Sequence, residues 1–411
     1  MSSRSVSASG QSKEELLESY TDELADAYAK EVGVDPRPNE TISETDARGA
    51  FIRQANAFIQ PFGDKEGDLR AEANRYSIYW GVGCNWSNRP VIARDLLGLQ
   101  GVIGDQLTSF SGQSNKYGHG FADQPGHRDA ATGAYFLSEF YKRAKPGFEG
   151  RATTPTFVDV IRKTAANNDY HRLTNYLEVQ FRPLQPKDAP DLYPKKYRKE
   201  IDQFNDWLFP HINNAHYRMA FCQEPEPYDE AYEDFYESLG KLETRLASNR
   251  FLFGDCITDS DIRAFVTLVR WDISYYRNIG PVRKPIRDYA NIWGYLRELN
   301  AIPAFHNNSN PKVLAAAWPR KKGSALFRSY NERILSKVDF DALWADGGER
   351  GALSRTPGEL FLRHPQNEAY EDYAGEISKT VWNSPDPKDR DPRNGQALSA
   401  DASVNPLKGL L

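Results

Sequence analysis

The chain has 411 residues and a formal net charge of -5, with no long basic block. This charge argues against nucleic acid as a partner, and no apolar run approaches the roughly 20 residues that span a bilayer. Three widely spaced cysteines, Cys84, Cys222 and Cys256, argue against a disulfide framework. The Ser-rich N-terminus has no apolar export segment, so we expect a cytoplasmic protein that does not associate with membranes.

The N-terminal region predicts one helix. Residues 1–12 are Ser-rich and are expected to be disordered. Apolar residues at helical spacing predict a helix over residues 14–32. Prolines at 36 and 38 end this pattern and begin a linker.

The chain then enters the stretch that carries the main candidate for chemistry. Alternating apolar residues over 76–82 predict a buried strand, and an apolar stripe from Val91 onward predicts a helix. Cys84 lies at the junction of the two. Free backbone N–H groups and the helix dipole at such a position favour a thiolate over a thiol. Cys84 is therefore the candidate nucleophile.

The next elements complete a small α/β unit. The patterns predict a strand over 101–107, an irregular loop over 108–128, a helix over 130–144, a strand over 153–160 and a helix start at 167–169. The resulting order is β-α-β-α-β-(β)-α. Parallel strands joined by crossover helices are the expected arrangement.

Beyond residue 183 the predicted elements are helical. Helical patterns cover 195–221 with a break at Pro210, then 227–247 and 288–299. A further, largely apolar helix begins at Thr258, which can cap it, with Asp261 at the capping-box spacing. Later helices are predicted within 324–344 and 368–381, and disorder is predicted from residue 385.

Several motifs together resemble a known family. Cys84-Asn-Trp-Ser at a helix start and Thr154-Pro155 before the third strand are similar to a thioredoxin-like domain. Joined to an all-helical half with a Thr-x-x-Asp cap, they resemble a cytosolic glutathione transferase. Longer matches resemble the Xi class, the glutathionyl-hydroquinone reductases, which are close to the Omega class; these matches lie at 70–76, 177–183, 213–218 and 267–272.

The resemblance covers residues 48–308 and implies the fold class, α/β plus all-α. We expect an N-terminal arm with one helix over 1–46 and a thioredoxin-like domain over 47–182. A helical glutathione-transferase C-terminal domain is expected over 183–310. The divergent extension over 311–411 is expected to be partly helical, with a disordered end.

The same resemblance assigns roles around the thiol. Cys84 would attack the sulfur of a glutathionyl adduct, and Trp86 would pack beside it. Pro155, in the cis form typical of this fold, would present the backbone of Thr154 to the peptide part of the thiol. Arg89 is a candidate from its own position, one turn into the helix, where it would stabilise the thiolate or bind a carboxylate; the alternative is a solvated arginine on a helix.

Two further positions are implied to bind the thiol, and three to line the pocket. Asp169 falls where the family has a Glu that holds the γ-glutamyl amino group, the alternative being a helix cap, and Tyr170 falls where it has a Ser. Tyr217 and Tyr275 match aromatic residues of the hydroquinone pocket and would aid protonation of the leaving group. Tyr289 matches a third aromatic residue.

The implied function is that of a thiol-dependent reductase. It would remove glutathione, or a related low-molecular-weight thiol, from small quinol-type adducts, with that thiol as co-substrate. No metal is expected, because the seven histidines are scattered and form no ligand spacing. A homodimer is expected.

Departures from the family pattern leave two alternatives open. The family reads Cys-Pro-Trp-Ala-His-Arg, whereas this chain has Cys84-Asn-Trp-Ser-Asn-Arg89, and the family's Glu-Ser has become Asp169-Tyr170. One alternative is a protein that keeps the fold, has altered chemistry, and binds a ligand or partner through its C-terminal hundred residues. The other is a transferase that conjugates a thiol to electrophiles.

Overall fold

A mixed four-stranded sheet forms the centre of the N-terminal half. The computed structural model describes residues 11–36, 44–109, 116–279, 282–317, 335–365, 380–384 and 386–391. Its sheet has the order β2-β1-β3-β4. The strands are β1 Tyr76–Trp80, β2 Gly104–Leu107, β3 Thr156–Asp159 and β4 Thr164–Asn167.

Strand direction differs from the expectation of parallel strands. β1 pairs in parallel with β2, but β3 runs antiparallel to both β1 and β4. The prediction of crossover connections is therefore wrong beyond the first pair. A buried strand has the same apolar pattern in either direction, so the pattern carried no information on this point.

Helices cover both faces of the sheet. On one face, Ile78 packs in the larger core with Val91 of α3 (Asn85–Leu96) and Leu177 of α5 (Leu173–Val179). On the other face, Tyr79 packs with Phe140 of α4 (Leu137–Ala144). All five positions of β1 are therefore buried. The helices of this half are α1 Lys13–Ser19, α2 Asp22–Val32, α3 Asn85–Leu96, α4 Leu137–Ala144 and α5 Leu173–Val179.

The helix predicted over 14–32 is in fact two helices. Thr21 has an extended backbone between them, and its hydroxyl accepts a hydrogen bond from the Leu24 N–H at 3.2 Å. A threonine that caps the second helix ends the first, which the apolar spacing alone did not show. Ser12 belongs to a capping box at the start of α1, so the predicted disorder over 1–12 does not extend to that residue.

The second half is helical, and its central helix is α9, Asp259–Trp271. α9 is buried at every position, and Thr258 and Asp261 form the predicted capping box. A π-helical turn, Phe209–Asn213, separates α6 from α7 and contains Pro210, as predicted. The helices are α6 Arg198–Leu208, α7 Ala215–Phe221, α8 Pro225–Ser248, α9 Asp259–Trp271, α10 Ala290–Asn300, α11 Pro303–Ser309 and α12 Pro311–Ala317.

In the part of the C-terminal extension that the structure describes, the elements are short. Of the helix predicted within 324–344, the described part contains α13, Phe340–Leu343; most of the one predicted over 368–381 lies outside the described residues. Residues 387–390 form a 3-10 turn rather than disordered chain, and Arg390 donates a hydrogen bond to the Arg53 carbonyl. Within the described ranges, no helix combines the length and apolar character that crossing a membrane requires.

Candidate active site

A cavity of about 750 Å³ opens between the end of the sheet and the helical half. Its volume is in the range of small-molecule sites. The wall combines a thiol, several aromatic rings and three charged side chains. The residues that line it are Glu44, Thr45, Phe51, Arg53, Gly83, Cys84, Trp86, His119, Arg151, Ala152, Thr153, Thr154, His216, Tyr217, Ala220, Phe221, Gln223 and Tyr275.

Cys84 lies on this wall at the first turn of α3. It is the N-cap residue of the helix, and its side chain makes no capping hydrogen bond. Its Sγ is 3.5 Å from the carbonyl oxygen of Thr154, and the Thr154–Pro155 peptide bond is cis, as predicted. The thiol therefore lies next to the backbone of the turn that precedes β3, with the helix N-terminus beneath it.

Polar side chains after Cys84 attach this turn to the helical half. The Asn85 amide donates to the Asn213 carbonyl at 3.3 Å and to the Thr267 hydroxyl at 3.2 Å. Asn88 accepts a hydrogen bond from the guanidinium of Arg270. Asn85 and Asn88 are wholly buried, so these side chains hold α3 against α9 from inside the core. They occupy the positions where the family has proline and histidine.

Trp86 and Arg89 form a buried pair, of which only Trp86 reaches the cavity. The Arg89 guanidinium lies 4.7 Å from the Trp86 ring centroid and donates to the side-chain oxygen of Asn213. Burial, together with the nearby charge of Arg263, lowers the pKa of Arg89 to about 9. Arg89 is 1 % exposed, so the alternative of a solvated arginine is wrong. It supports Trp86 from behind rather than lining the cavity.

Two tyrosines face Cys84 from the helical half. The Tyr217 hydroxyl donates to the side-chain oxygen of Asn85 at 3.1 Å and lies 3.5 Å from the Tyr275 hydroxyl. His216 stacks on the Tyr275 ring at a centroid distance of 3.9 Å. Burial raises the pKa of Tyr217, with a contribution from the charge of Cys84, and burial raises that of Tyr275 still further. Both hydroxyls therefore keep their protons at neutral pH.

Asp169 and Tyr170 lie behind the wall. Asp169 is 0 % exposed. One of its carboxylate oxygens accepts from the Asn56 amide at 3.3 Å and from the His171 N–H at 3.2 Å; the other has no hydrogen-bond partner among the described residues. Burial raises the pKa of Asp169. The Tyr170 ring lies 4.9 Å from that of Trp86, and neither Asp169 nor Tyr170 lines the cavity.

Tyr289 also lies outside the cavity. It is the N-cap residue of α10, and the Lys284 ammonium lies 4.0 Å from its ring centroid. The tyrosine is thus held by the loop before α10, and the expected contribution to the pocket wall is not seen in this geometry.

Sequence reasoning missed several charged and polar residues of the wall. Arg53 lies over the rings of Trp86 and Tyr217, 4.7 Å and 4.6 Å from their centroids. Arg151 contacts both carboxylate oxygens of Glu44 at 2.7 Å. These residues come from loops with no periodic pattern, so no local signal in the sequence could have placed them in one site. Across the described ranges, no group of three or more His, Cys, Asp or Glu residues is arranged to hold a metal ion.

Comparisons with known proteins agree with this geometry. A family model described as the C-terminal domain of glutathione S-transferase matches residues 225–298. The chain is 33% identical over 271 residues to glutathionyl-hydroquinone reductase YqjG of Escherichia coli, which covers 64% of this chain and 82% of the relative. It is 32% identical over 248 residues to glutathionyl-hydroquinone reductase PcpF of Sphingobium chlorophenolicum, with 59% of this chain and 76% of the relative covered.

Two solved structures with related sequences have a similar fold. The Xi glutathione S-transferase of Phanerochaete chrysosporium superposes with a TM-score of 0.62 at 31% identity, covering 67% of this chain and 89% of that one. The glutathione-bound structure of Escherichia coli YqjG superposes with a TM-score of 0.58 at 28% identity, covering 71% and 94%. The mixed sheet followed by a helical half is thus the architecture of both.

Proposed function

The chain belongs to the glutathionyl-hydroquinone reductases, the Xi class of the glutathione transferases, and from that premise we propose how its cavity works. The enzyme is a thiol-dependent reductase that removes glutathione, or a related low-molecular-weight thiol, from glutathionyl-hydroquinone adducts. The observation that carries the proposal is that Cys84 and the hydrogen-bonded pair Tyr217 and Tyr275 line one cavity.

In the first step, the Cys84 thiolate attacks the sulfur of the adduct. A disulfide forms between Cys84 and the thiol, and the bond from that sulfur to the aromatic carbon breaks. The electron pair of this bond goes to the ring carbon, which takes up a proton, and the free hydroquinone leaves. The aromatic ring is thereby reduced and the two sulfurs are oxidised.

The proton of this step is assigned to the tyrosine pair. Tyr217 and Tyr275 face the cavity with their hydroxyls 3.5 Å apart. A positioned phenol that keeps its proton at neutral pH can act as a general acid. Phe51, Trp86 and Phe221 add apolar surface for an aromatic ring.

In the second step, a free thiol molecule resolves the mixed disulfide. Its thiolate attacks the sulfur of the bound thiol, a soluble disulfide leaves, and Cys84 is regenerated as thiolate. Neither remaining cysteine lines the cavity, Cys256 is wholly buried, and Ser87 cannot form a disulfide. A one-cysteine mechanism therefore needs the second thiol molecule. A homodimer, a cytoplasmic location and a role in detoxification remain predictions.

One assay tests the proposal. The protein is incubated with a glutathionyl-hydroquinone and glutathione, and release of free hydroquinone is followed for the wild type and Cys84→Ala. We expect the variant to lose activity by roughly a thousandfold or more, while Cys222→Ala, which removes a thiol at the end of α7, keeps it. Equal inactivity of wild type and Cys84→Ala with every thiol tried would favour the binding-protein alternative.

A further inference from the structure

The resemblance assigns Asp169 to the amino group of the thiol, but in this chain the surroundings of Asp169 are closed. Asp169 is fully buried, and Asn56 bridges it to Asn383 by donating to Asp169 at 3.3 Å and to the Asn383 side-chain oxygen at 2.7 Å. The neighbouring Trp382 ring packs 4.8 Å from that of Phe209, in one cluster with Trp86. Asp169 is thus enclosed together with Asn383 of the C-terminal extension, and its carboxylate does not reach the cavity.

A cation, by contrast, faces the open cavity. The only hydrogen bond of the Arg53 guanidinium within the described residues runs from Nε to the Tyr170 hydroxyl at 3.2 Å. Its two terminal nitrogens are left for a ligand. The planar group lies against the rings of both Trp86 and Tyr217, and the two cation–π contacts hold it at the wall. An arginine fixed in this way is preorganised for bidentate contact with a carboxylate.

The charges of the residues that line the cavity also favour a carboxylate ligand. Glu44 is neutralised by Arg151, which contacts both of its oxygens. Burial lowers the pKa of His216 to about 3, so this ring is neutral. Burial also opposes the charge on Arg53, but Tyr170, Tyr217 and Glu44 outweigh this effect and leave its pKa raised. Among the described lining residues, Arg53 is thus the cation whose charge is not balanced by a paired carboxylate.

We propose that this site recognises its thiol co-substrate by a carboxylate, through Arg53, and not by an ammonium group, through Asp169. The inference rests on the proposed function and names the class of thiol. Thiols with a free carboxylate are substrates whether or not their amino group is free. An accessible Asp169 alone would predict recognition of the amino group of the thiol. Here residues 382–383 pack near Asp169, and the loop that carries Arg53 presents a cation to the cavity instead, so we expect recognition of the carboxylate.

The experiment compares three forms of one thiol on the full chain. Glutathione, N-acetylglutathione and glutathione diethyl ester each serve as the resolving thiol in the hydroquinone-release assay. We expect acetylation to leave KM nearly unchanged and esterification to raise it about tenfold, the effect of losing one charge-assisted contact. A KM that rises tenfold on acetylation and is unaffected by esterification would overturn the proposal.

Variants of Arg53 and Asp169 show which residue causes the change in KM. Arg53→Met should raise the KM for glutathione about tenfold, with kcat retained, and remove the difference between glutathione and its diester. Arg53→Lys keeps the charge and should recover part of the loss, whereas Asp169→Asn should leave KM unchanged. Arg48→Met is the matched control, because Arg48 is paired with Glu230 at 2.9 Å outside the main cavity. A loss of kcat alone in Arg53→Met would show that Arg53 only positions the rings, which overturns the proposal.

Calorimetry tests carboxylate recognition independently of the proposed reaction, because it measures binding without turnover. S-methylglutathione, its N-acetyl form and its diester are titrated into wild type and Arg53→Met without turnover. Binding that survives acetylation but is lost on esterification, and in Arg53→Met, supports carboxylate recognition even if hydroquinone release fails. Binding that requires the free amine and Asp169 overturns it even if the reductase assay succeeds.

Discussion

The Tyr217 hydroxyl donates a hydrogen bond to the side-chain oxygen of Asn85 at 3.1 Å. The direction is determined by the other end of the amide, whose nitrogen donates to the Asn213 carbonyl and the Thr267 hydroxyl. With its proton directed to Asn85, the Tyr217 oxygen is free to accept from Tyr275, 3.5 Å away. Asn85, which follows Cys84, therefore fixes the orientation of the Tyr217 hydroxyl and, through it, that of Tyr275.

The first prediction concerns this ordering. Asn85→Ala removes the acceptor for Tyr217 and two contacts to the helical half, so we expect a fall of about 1–3 kcal/mol in the free energy of unfolding. We also expect a lower kcat, because Tyr217 is no longer oriented. Urea unfolding and hydroquinone release measure the two effects. If the kcat loss of Asn85→Ala simply adds to that of Tyr217→Phe in the double variant, Asn85 does not act through Tyr217.

The second prediction concerns pH. Burial raises the pKa of both Tyr217 and Tyr275 above the ordinary value, so the protonated, proton-donating forms persist to higher pH than in free tyrosine. The kcat profile should therefore show no loss from tyrosine ionisation below pH of about 10. Tyr275→Phe should lower kcat about a hundredfold at neutral pH. Tyr289→Phe, outside the cavity, serves as the control. An alkaline limb centred well below pH of about 10 that disappears in Tyr275→Phe would contradict this assignment.

Local sequence signals predicted the elements that local chemistry determines. The cap of α9 was readable because Thr258 and Asp261 act within one helical turn. The break at Thr21 was missed because a threonine in an apolar pattern is compatible with either a helix interior or a cap. The direction of β3 was missed because strand periodicity is the same in both directions.

The residues of the candidate site also separate into those that the sequence predicted and those that it did not. Cys84, identified from its position at a helix start, lines one cavity with the four residues that the resemblance named, Trp86, Thr154, Tyr217 and Tyr275. Arg53 was not predicted, because its contacts with the rings of Trp86 and Tyr217 depend on the fold of a loop without periodicity. The burial of Asp169 depends on Asn383, which is 214 positions later in the sequence, and no motif links the two.

The third prediction uses the capping carboxylate of α9. Burial raises the pKa of Asp261 from 3.8 to about 6, although hydrogen bonds from Leu252, Thr258 and Tyr295 oppose the shift. Because the folded pKa exceeds the unfolded one, the stability contributed by protonation is present below pH 3.8 and is lost as pH rises towards 6.

Asp261→Asn cannot titrate and loses one acceptor, so it should destabilise the fold by about 1–3 kcal/mol. Since only the wild type loses stability through this group between pH 4 and 6, the difference between the two proteins should be largest at the acidic end. Urea unfolding across this range measures it, with Asp64→Asn as the exposed control. A difference that is constant with pH would show that Asp261 does not titrate there.

The last prediction concerns the extension. Trp382 is 6 % exposed and packs with Trp86, Tyr170 and Phe209. Trp382→Ala should therefore lower the free energy of unfolding by about 3–5 kcal/mol, the usual cost of removing a buried large aromatic side chain. Trp344→Ala is the matched control, because Trp344 is also buried in the extension but packs on Trp293 at 4.6 Å, away from the cavity.

The two variants should then differ at the active site. Trp382→Ala removes the ring that packs on Phe209, which in turn contacts Trp86. We expect this change to loosen the packing of the neighbouring Asn383 near Asp169, so an amine-bearing thiol should gain affinity relative to its N-acetyl form. Trp344→Ala should leave that ratio unchanged, although it loses comparable stability. The ratio of KM values for glutathione and N-acetylglutathione measures the difference at a temperature where both variants are folded. An equal ratio in both variants would mean that Trp382 stabilises the fold without shaping the thiol subsite.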